Sequence, residues 1–344
     1  MKNIFLLSAL ILFFCGCGHT PVRQSYPAAV PPNTAETSES SRRAEEFRKI
    51  ISQVKTRGVV IFPAAFFGRF DNEKILDSVA KLGFNRIYCH LTSEQELDER
   101  LMQFLAAANK RQIPIEAVLS QQDFYHRYRA NRLLRNILIQ YPDLTQAAAK
   151  VLEYNQEVPP ESRFAALTIQ LTPHYFDNSN VLRMRGKLYC WSEERYGIGG
   201  DNDMLVKEAL EQLARIAELP GQLPLTVAVP DFLHNAVKEG KIAKGQISDF
   251  AGFGKVAVVS SANLPGKIPA VIQDELKDAG KTPVLAVVAL AGHTAVNSGQ
   301  LRRRNWQDFQ RSAAFLIRRS SAYPAFEGVI FSPLSVIEFL RLEE

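Results

Sequence analysis

Eight short apolar runs, each followed by a stretch of helical periodicity, constrain this chain more than any other feature. They are residues 58–66 (GVVIFPAAF), 85–91 (NRIYCHL), 114–120 (PIEAVLS), 164–171 (FAALTIQL), 225–229 (LTVAV), 255–261 (KVAVVSS), 283–290 (PVLAVVAL) and 328–331 (GVIF). Near-continuous apolar runs read as strands buried on both faces, which means a parallel sheet covered by helices. Helices are expected from Arg42 through Val54, over 72–82 with Ile75, Leu76, Val79 and Leu82 on one face, and over 93–110 with Ser93 as N-cap. Further helical stretches are 124–155, broken near Pro142, then 202–218, 269–279, 306–319 and 335–342. Eight such units select an α/β fold of the (β/α)8 TIM-barrel type over an open doubly wound sheet. No Gly-rich GxGxxG follows a strand, because Gly197, Gly199 and Gly200 stand in a long loop, so a dinucleotide cofactor is not expected.

The chain opens with Met1, Lys2 and Asn3, an apolar run over residues 4–14, and Cys15-Gly16-Cys17. A positive n-region, a short h-region and a small residue before the cut make an export signal. The run falls short of the roughly 20 apolar residues of a permanent membrane helix. It resembles a bacterial lipoprotein signal, with Gly16 before the cut and Cys17 as the new N-terminus. That resemblance implies removal of residues 1–16 and acylation of Cys17, including palmitate-type chains, and hence a membrane partner through the lipid anchor. Plain secretion with full release is the alternative. Gly18 is not the Asp-type residue that retains some lipoproteins at the inner membrane, which favours the outer membrane of a bacterial envelope. Residues 17–41 are rich in Pro, Ser, Thr, Ala and Glu and are expected to form a flexible linker, with a reach on the order of 30 Å. Residues 42–344 are expected to form the barrel domain.

The net charge of +5 is mild and argues against nucleic acid as a partner. Cys89 and Cys190 fall in the folded part. Two reduced, buried thiols are the expectation, with a bridge as the alternative that export permits. No Cys/His spacing suggests a metal, and no cofactor is implied.

Barrels of this type bind ligands at the C-terminal ends of their strands. The residues there are His90; Ser120, Gln121 and Gln122; Thr172, Pro173, His174 and Tyr175; Asp231; Ser261 and Asn263; His293 and Thr294; and Ser332. Two basic groups fall in loops on this face, Arg183, Arg185 and Lys187 after strand four and Arg302, Arg303 and Arg304 after strand seven. With Tyr175, Tyr189, Trp191 and Tyr196 they offer stacking surfaces and bidentate donors suited to an anionic polysaccharide. Solvated arginines paired with Glu193, Glu194 and Asp308 are the competing reading. Arg318 and Arg319 close a helix and are assigned to structure. His90, His174 and His293 stand at non-adjacent strands, so a shared metal site is not expected.

The segments VLEYNQ (151–156) and ESRFAALTIQLTPHY (161–175) resemble extracellular bacterial barrels of glycoside-hydrolase type. There a Tyr-Asn pair precedes an Arg-Phe, and strand four ends in Asp-x-Glu-Pro-His or a close variant. LGFNRIYCHL (82–91), IPIEAVLS (113–120) and AFEGVIF (325–331) carry similar echoes. The resemblance implies a barrel of carbohydrate-related ancestry and places His174 toward the pocket. The departures are Gln170 and Thr172 in place of the strand-four acids, and Leu119 and Gln121 in place of acids after strand three. Glycoside hydrolysis ordinarily needs two carboxyl groups. The expectation is therefore a glycosidase-like barrel that binds an envelope or extracellular polysaccharide without cleaving it, through His174, Tyr175, Arg183, Arg185, Trp191, His293 and Arg302. The alternatives are a glycoside hydrolase with relocated carboxyls, drawn from Asp231, Glu193, Glu194 and Asp177, or an envelope scaffold for another protein. Glu116 lies mid-strand and is expected in an internal ion pair, and Asp231 is expected to cap a helix.

Overall fold

The computed structural model describes residues 34–63, 71–92, 97–125, 144–184, 186–194, 197–260, 265–288 and 306–331. The strands among them are β1 (Thr56–Ile61), β2 (Arg86–Leu91), β3 (Ile115–Ser120), β4 (Ala166–Gln170), β5 (Leu182–Met184) and β6 (Lys187–Tyr189). They continue with β7 (Leu225–Pro230), β8 (Lys255–Val259), β9 (Val284–Val288) and β10 (Phe326–Phe331). The helices are α1 (Thr34–Ile51), α2 (Asn72–Lys81), α3 (Glu99–Lys110), α4 (Gln121–Tyr125), α5 (Leu144–Glu157) and α6 (Asp201–Ala217). After them come α7 (Phe232–Lys238), α8 (Ile247–Ala251), α9 (Ile268–Val271), α10 (Gln273–Asp278) and α11 (Trp306–Ser320).

Eight strands close into a barrel in the order β1, β2, β3, β4, β7, β8, β9, β10, and β10 pairs back with β1. Every pair around the ring is parallel. This is the (β/α)8 fold that the eight apolar runs lead one to expect. β5 and β6 form a separate antiparallel hairpin inside the long loop after β4.

Alternation along each strand divides the core in two. Ile87, Cys89, Leu119, Ile169, Val227 and Val256 face outward under the helices. Tyr88, Val118, Ala228, Ala257, Leu285 and Ile330 fill the barrel interior. The Tyr88 ring takes much of that space, and glycine at position 58 makes room for it. A Cβ on Gly58 would stand 2.3 Å from Tyr88 Cε2. Gly254, at φ +147°, lets the chain entering β8 pass under Leu225, whose carbonyl oxygen would lie 2.1 Å from an added Cβ.

Two helix starts follow from short acidic side chains. Asp71 accepts a hydrogen bond from the Glu73 amide at 3.0 Å, and Asp98 accepts one from the Leu101 amide at 3.1 Å. Asp98 thus replaces Ser93 as the expected cap, because α3 begins at Glu99; Ser93 lies outside the described residues. α1 begins at Thr34, inside the stretch expected as linker, and its buried Ala44, Phe47 and Ile51 dock it on the barrel. The expected helix over 335–342 lies outside the described residues. Cys89 and Cys190 are both free; Cys89 is buried as expected, while Cys190 is only half-buried. Among the described residues, no helix is long and apolar enough to cross a membrane.

Candidate functional site

The part of the barrel mouth described most fully lies over the ends of β4 and β7. β4 delivers Gln170, half-buried, in register with Ser120 of β3. The buried Thr172 follows, and its amide donates to Gln121 Oε1 at 3.0 Å. The Gln121 Nε2 in turn donates to Gln212 Oε1 of α6 at 3.4 Å. Gln121 and Gln212 are 1% and 2% exposed, so these neutral amides tie the β4 exit to α4 and α6. A 3-10 turn over Pro173–Tyr175 then presents His174.

The His174 imidazole meets the Phe232 ring edge-on, with centroids 5.1 Å apart, and Trp191 meets the same ring at 5.7 Å. Solvent reaches His174, yet the protein around its ring lowers its pKa by desolvation, and Asp231 opposes this with its charge. Asp231 follows β7 and is 2% exposed. Its amide donates to the Val259 carbonyl at 3.1 Å. It stands at the N-cap position of α7, but its carboxylate makes no capping hydrogen bond, which corrects the expectation of a simple cap. Helical backbone angles at Asp231, φ −60° and ψ −31°, are the reason, since a capping residue ordinarily has extended ones.

The charge of Asp231 also reaches Glu275 of α10, which is 1% exposed and whose carboxyl oxygens bond no other side chain. Burial pushes its pKa up to about 7, opposed by a hydrogen bond from its own backbone N–H and reinforced by the charges of Asp231 and Asp274. Sequence reasoning missed Glu275, although a signal was present. It falls in helical spacing with the buried Ile268, Ile272 and Ala279, so a charged residue occupies an apolar face. Across the mouth, His90 Nε2 lies 3.3 Å from Asp123 Oδ2, and the His90 ring packs on Phe62 at 4.4 Å.

The other expected site residues distribute unevenly. Asp177 closes its own turn, accepting from the Ser179 amide at 2.8 Å, the Ser179 hydroxyl at 2.6 Å and the Asn180 amide at 3.1 Å. Glu193 and Glu194 are exposed on the rim. Glu193 lines a cup of about 200 Å³ with Trp191, Asn202, Phe232 and Lys241. Trp191 is only 7% exposed, so it packs against Phe232 rather than forming an open stacking platform. Tyr175 is half-buried with its ring against Phe176, centroids 5.9 Å apart. Arg183 is exposed on β5, opposite Leu188 of β6. Cys17, Arg185, Tyr196, His293 and Arg302 lie outside the described residues. Glu116 is in the expected ion pair, with Arg86 at 2.6 Å. Arg319 ends α11 with its guanidinium 5.4 Å from the Phe315 ring, in keeping with a structural role. Among the described residues, no group of three or more His, Cys, Asp and Glu converges as a metal site.

The ring of eight parallel strands defines the protein as a (β/α)8 barrel. No protein-family model matches the chain, and no curated protein matches it. Among solved structures it is similar to a glycoside hydrolase family 10 endoxylanase from a sugarcane soil metagenome. That match has 10% identity, covers 83% of this chain and 88% of that one, and has a TM-score of 0.46. A psychrophilic family 10 endo-β-1,4-xylanase is similar at 11% identity, 83% and 89% coverage and a TM-score of 0.43. An aldo-keto reductase from Bacillus halodurans is similar at 12% identity, 80% and 81% coverage and a TM-score of 0.35. Likeness of this degree bears on neither substrate nor mechanism.

Proposed function

We propose that this protein is a lipid-anchored barrel of the bacterial envelope that binds a polysaccharide at its C-terminal mouth without cleaving it. One observation carries the reading: where the resembled barrels have acids, the β4 exit has the half-buried amide of Gln170 and the buried, uncharged Thr172, and it presents the imidazole of His174. A neutral imidazole has one donor and one acceptor, which suits a sugar hydroxyl. Desolvation favours that neutral form at His174. Two of the acids on this face have other engagements. Asp123 sits against His90, and Asp177 holds its own turn. Acid–base cleavage of a glycoside calls for two carboxyls flanking one bond. Arg183, exposed on β5, offers bidentate donors for a uronate, sulfate or phosphate substituent.

The test uses the full chain in detergent micelles, titrated with neutral and uronate-containing polysaccharides while reducing ends are assayed. Saturable binding that His174→Ala weakens, with no release of reducing ends, supports binding alone. Released reducing ends would contradict it. The anchor is tested separately by labelling cells with a palmitate analogue, where Cys17→Ala is expected to abolish incorporation.

One observation favours a second reading, in which relocated acids do catalyse. Asp231 and Glu275 are both buried, and the charge of Asp231 raises the Glu275 pKa, so two carboxyls share one region near the mouth. Hydrolysis abolished by Asp231→Asn and by Glu275→Gln would support it.

A further inference from the structure

The N-terminal end of the barrel, opposite the mouth, has a charged lining that the proposed function does not use. Arg86 Nη1 donates to Glu116 Oε1 at 2.6 Å, and the Thr168 hydroxyl donates to Glu116 Oε2 at 2.6 Å. Glu327 enters this layer where the register of β10 shifts between Phe326 and Gly328. Its Oε1 accepts from the Thr56 hydroxyl at 2.9 Å and from Lys255 Nζ, with Lys55 Nζ at 3.8 Å. Both acids are therefore engaged, while the Arg86 and Lys255 side chains, 27% and 35% exposed, keep further N–H groups open to the outside. Among the described residues, Arg86 spends one N–H group of five on a protein acceptor, and Lys255 one of three.

Two further features point to a ligand. The Tyr88 side chain lies inside the barrel, 1% exposed, and its hydroxyl has no hydrogen-bond partner. Burial, and after it the charges of Glu116 and Glu327, push its ionisation well above the ordinary phenol value, so the group stays a donor. Beside these cations lies a cavity of about 660 Å³, lined by Arg86, Glu116, Thr226, Lys255 and Pro283 among apolar residues. A second cavity of about 420 Å³ shares Pro283 and adds Lys55 and Lys281. The N-terminal end of such barrels ordinarily serves stability. Charge neutralisation inside the barrel explains the two ion pairs. It explains neither a buried hydroxyl left without a partner, which is costly, nor a ligand-sized space lined by two cations whose further N–H groups face it.

We propose that this end of the barrel binds a small ligand bearing an oxyanion, held by Arg86 and Lys255 with the Tyr88 hydroxyl as a further donor. Carboxylate and phosphate share the chemistry, so both serve as probes. The full chain is titrated calorimetrically with inorganic phosphate and with malonate at constant ionic strength, alongside Tyr88→Phe and Arg86→Gln. Saturable binding of at least one probe is expected, and the probe that binds identifies the source. Tyr88→Phe removes no bond within the protein, so it folds as the natural chain does. It is expected to weaken the probe by about tenfold, the order of one charge-assisted hydrogen bond. Arg86→Gln is expected to abolish binding. If neither probe binds saturably, or if Tyr88→Phe binds with unchanged affinity, the proposal is overturned.

Discussion

The Asn155 carboxamide bonds both backbone groups of Phe164. Its Nδ2 donates to the Phe164 carbonyl and its Oδ1 accepts from the Phe164 amide, each at 2.9 Å. This clamp fastens the end of α5 to the chain that enters β4. Tyr154 adds a hydrogen bond from its hydroxyl to the Ser162 carbonyl at 3.3 Å and packs its ring 5.8 Å from that of Phe164. The Tyr-Asn and Arg-Phe pairs that resemble glycosidase barrels are thus a folding device on the strand's entry side. Asn155→Ala leaves a buried N–H and a buried carbonyl unpaired and is expected to destabilise by roughly 2 to 4 kcal/mol. Urea unfolding measures it, and a change within experimental error would refute the clamp.

How much of this was legible follows from the same segment. The apolar runs are buried strands because a parallel barrel needs apolar residues on both faces, and sequence periodicity reads that directly. Side-chain partners across long separations are not periodic. Nothing local to Gln121 reveals that it will hold Thr172, or that Gln212 will hold Gln121. Asp231 illustrates the limit: its place after Pro230 marked a helix start, but only the backbone angles show that its carboxylate does not cap. Trp191 stands among aromatic and basic residues in the loop after β4, which suggests a sugar platform, but it is packed because Phe232, following β7, meets it.

Gly58 and Tyr88 are matched in size. Gly58→Ala forces a methyl group into the Tyr88 ring and is expected to destabilise by at least about 1–3 kcal/mol, the usual range for overpacking. Tyr88→Leu in the same chain is expected to restore part of the loss. Thermal unfolding of the single and double variants checks this, and additive losses would contradict it.

Glu275 makes stability depend on pH with a definite sign. Its folded pKa is raised from 4.5 to about 7, first by burial and then by Asp231 and Asp274. The native state therefore binds more protons than the unfolded chain between those values. Its contribution is fully present below about 4.5 and is lost as pH rises through about 7. The full span corresponds to roughly 3 kcal/mol as an upper bound. Glu275→Gln is expected to flatten this part of the stability profile and to be more stable than the natural chain at pH 8. Denaturant titrations from pH 4 to 8 decide it, and parallel profiles would count against a buried, protonated Glu275.

The two barrel-domain thiols should differ in reactivity. Burial pushes the Cys89 pKa up to about 12, which leaves almost no thiolate at neutral pH. Cys190 is half-buried, and its Sγ lies 3.5 Å from Asn178 Oδ1. Alkylation of the native protein with iodoacetamide, read peptide by peptide in a mass spectrometer, is expected to mark Cys190 and spare Cys89 until the protein unfolds. Equal labelling of both would show that the strand layer opens.

The mouth formed by Gln170, Thr172, His174 and Asp231 carries the functional reading, and one paired measurement tests it most directly. The full chain is titrated with a panel of neutral and uronate polysaccharides, and the same mixtures are assayed for new reducing ends over a day. The expected result is saturable binding to at least one polysaccharide, weakened in His174→Ala, with reducing ends at the level of the buffer. Reducing ends that accumulate with the natural chain and vanish in Asp231→Asn would contradict binding without cleavage.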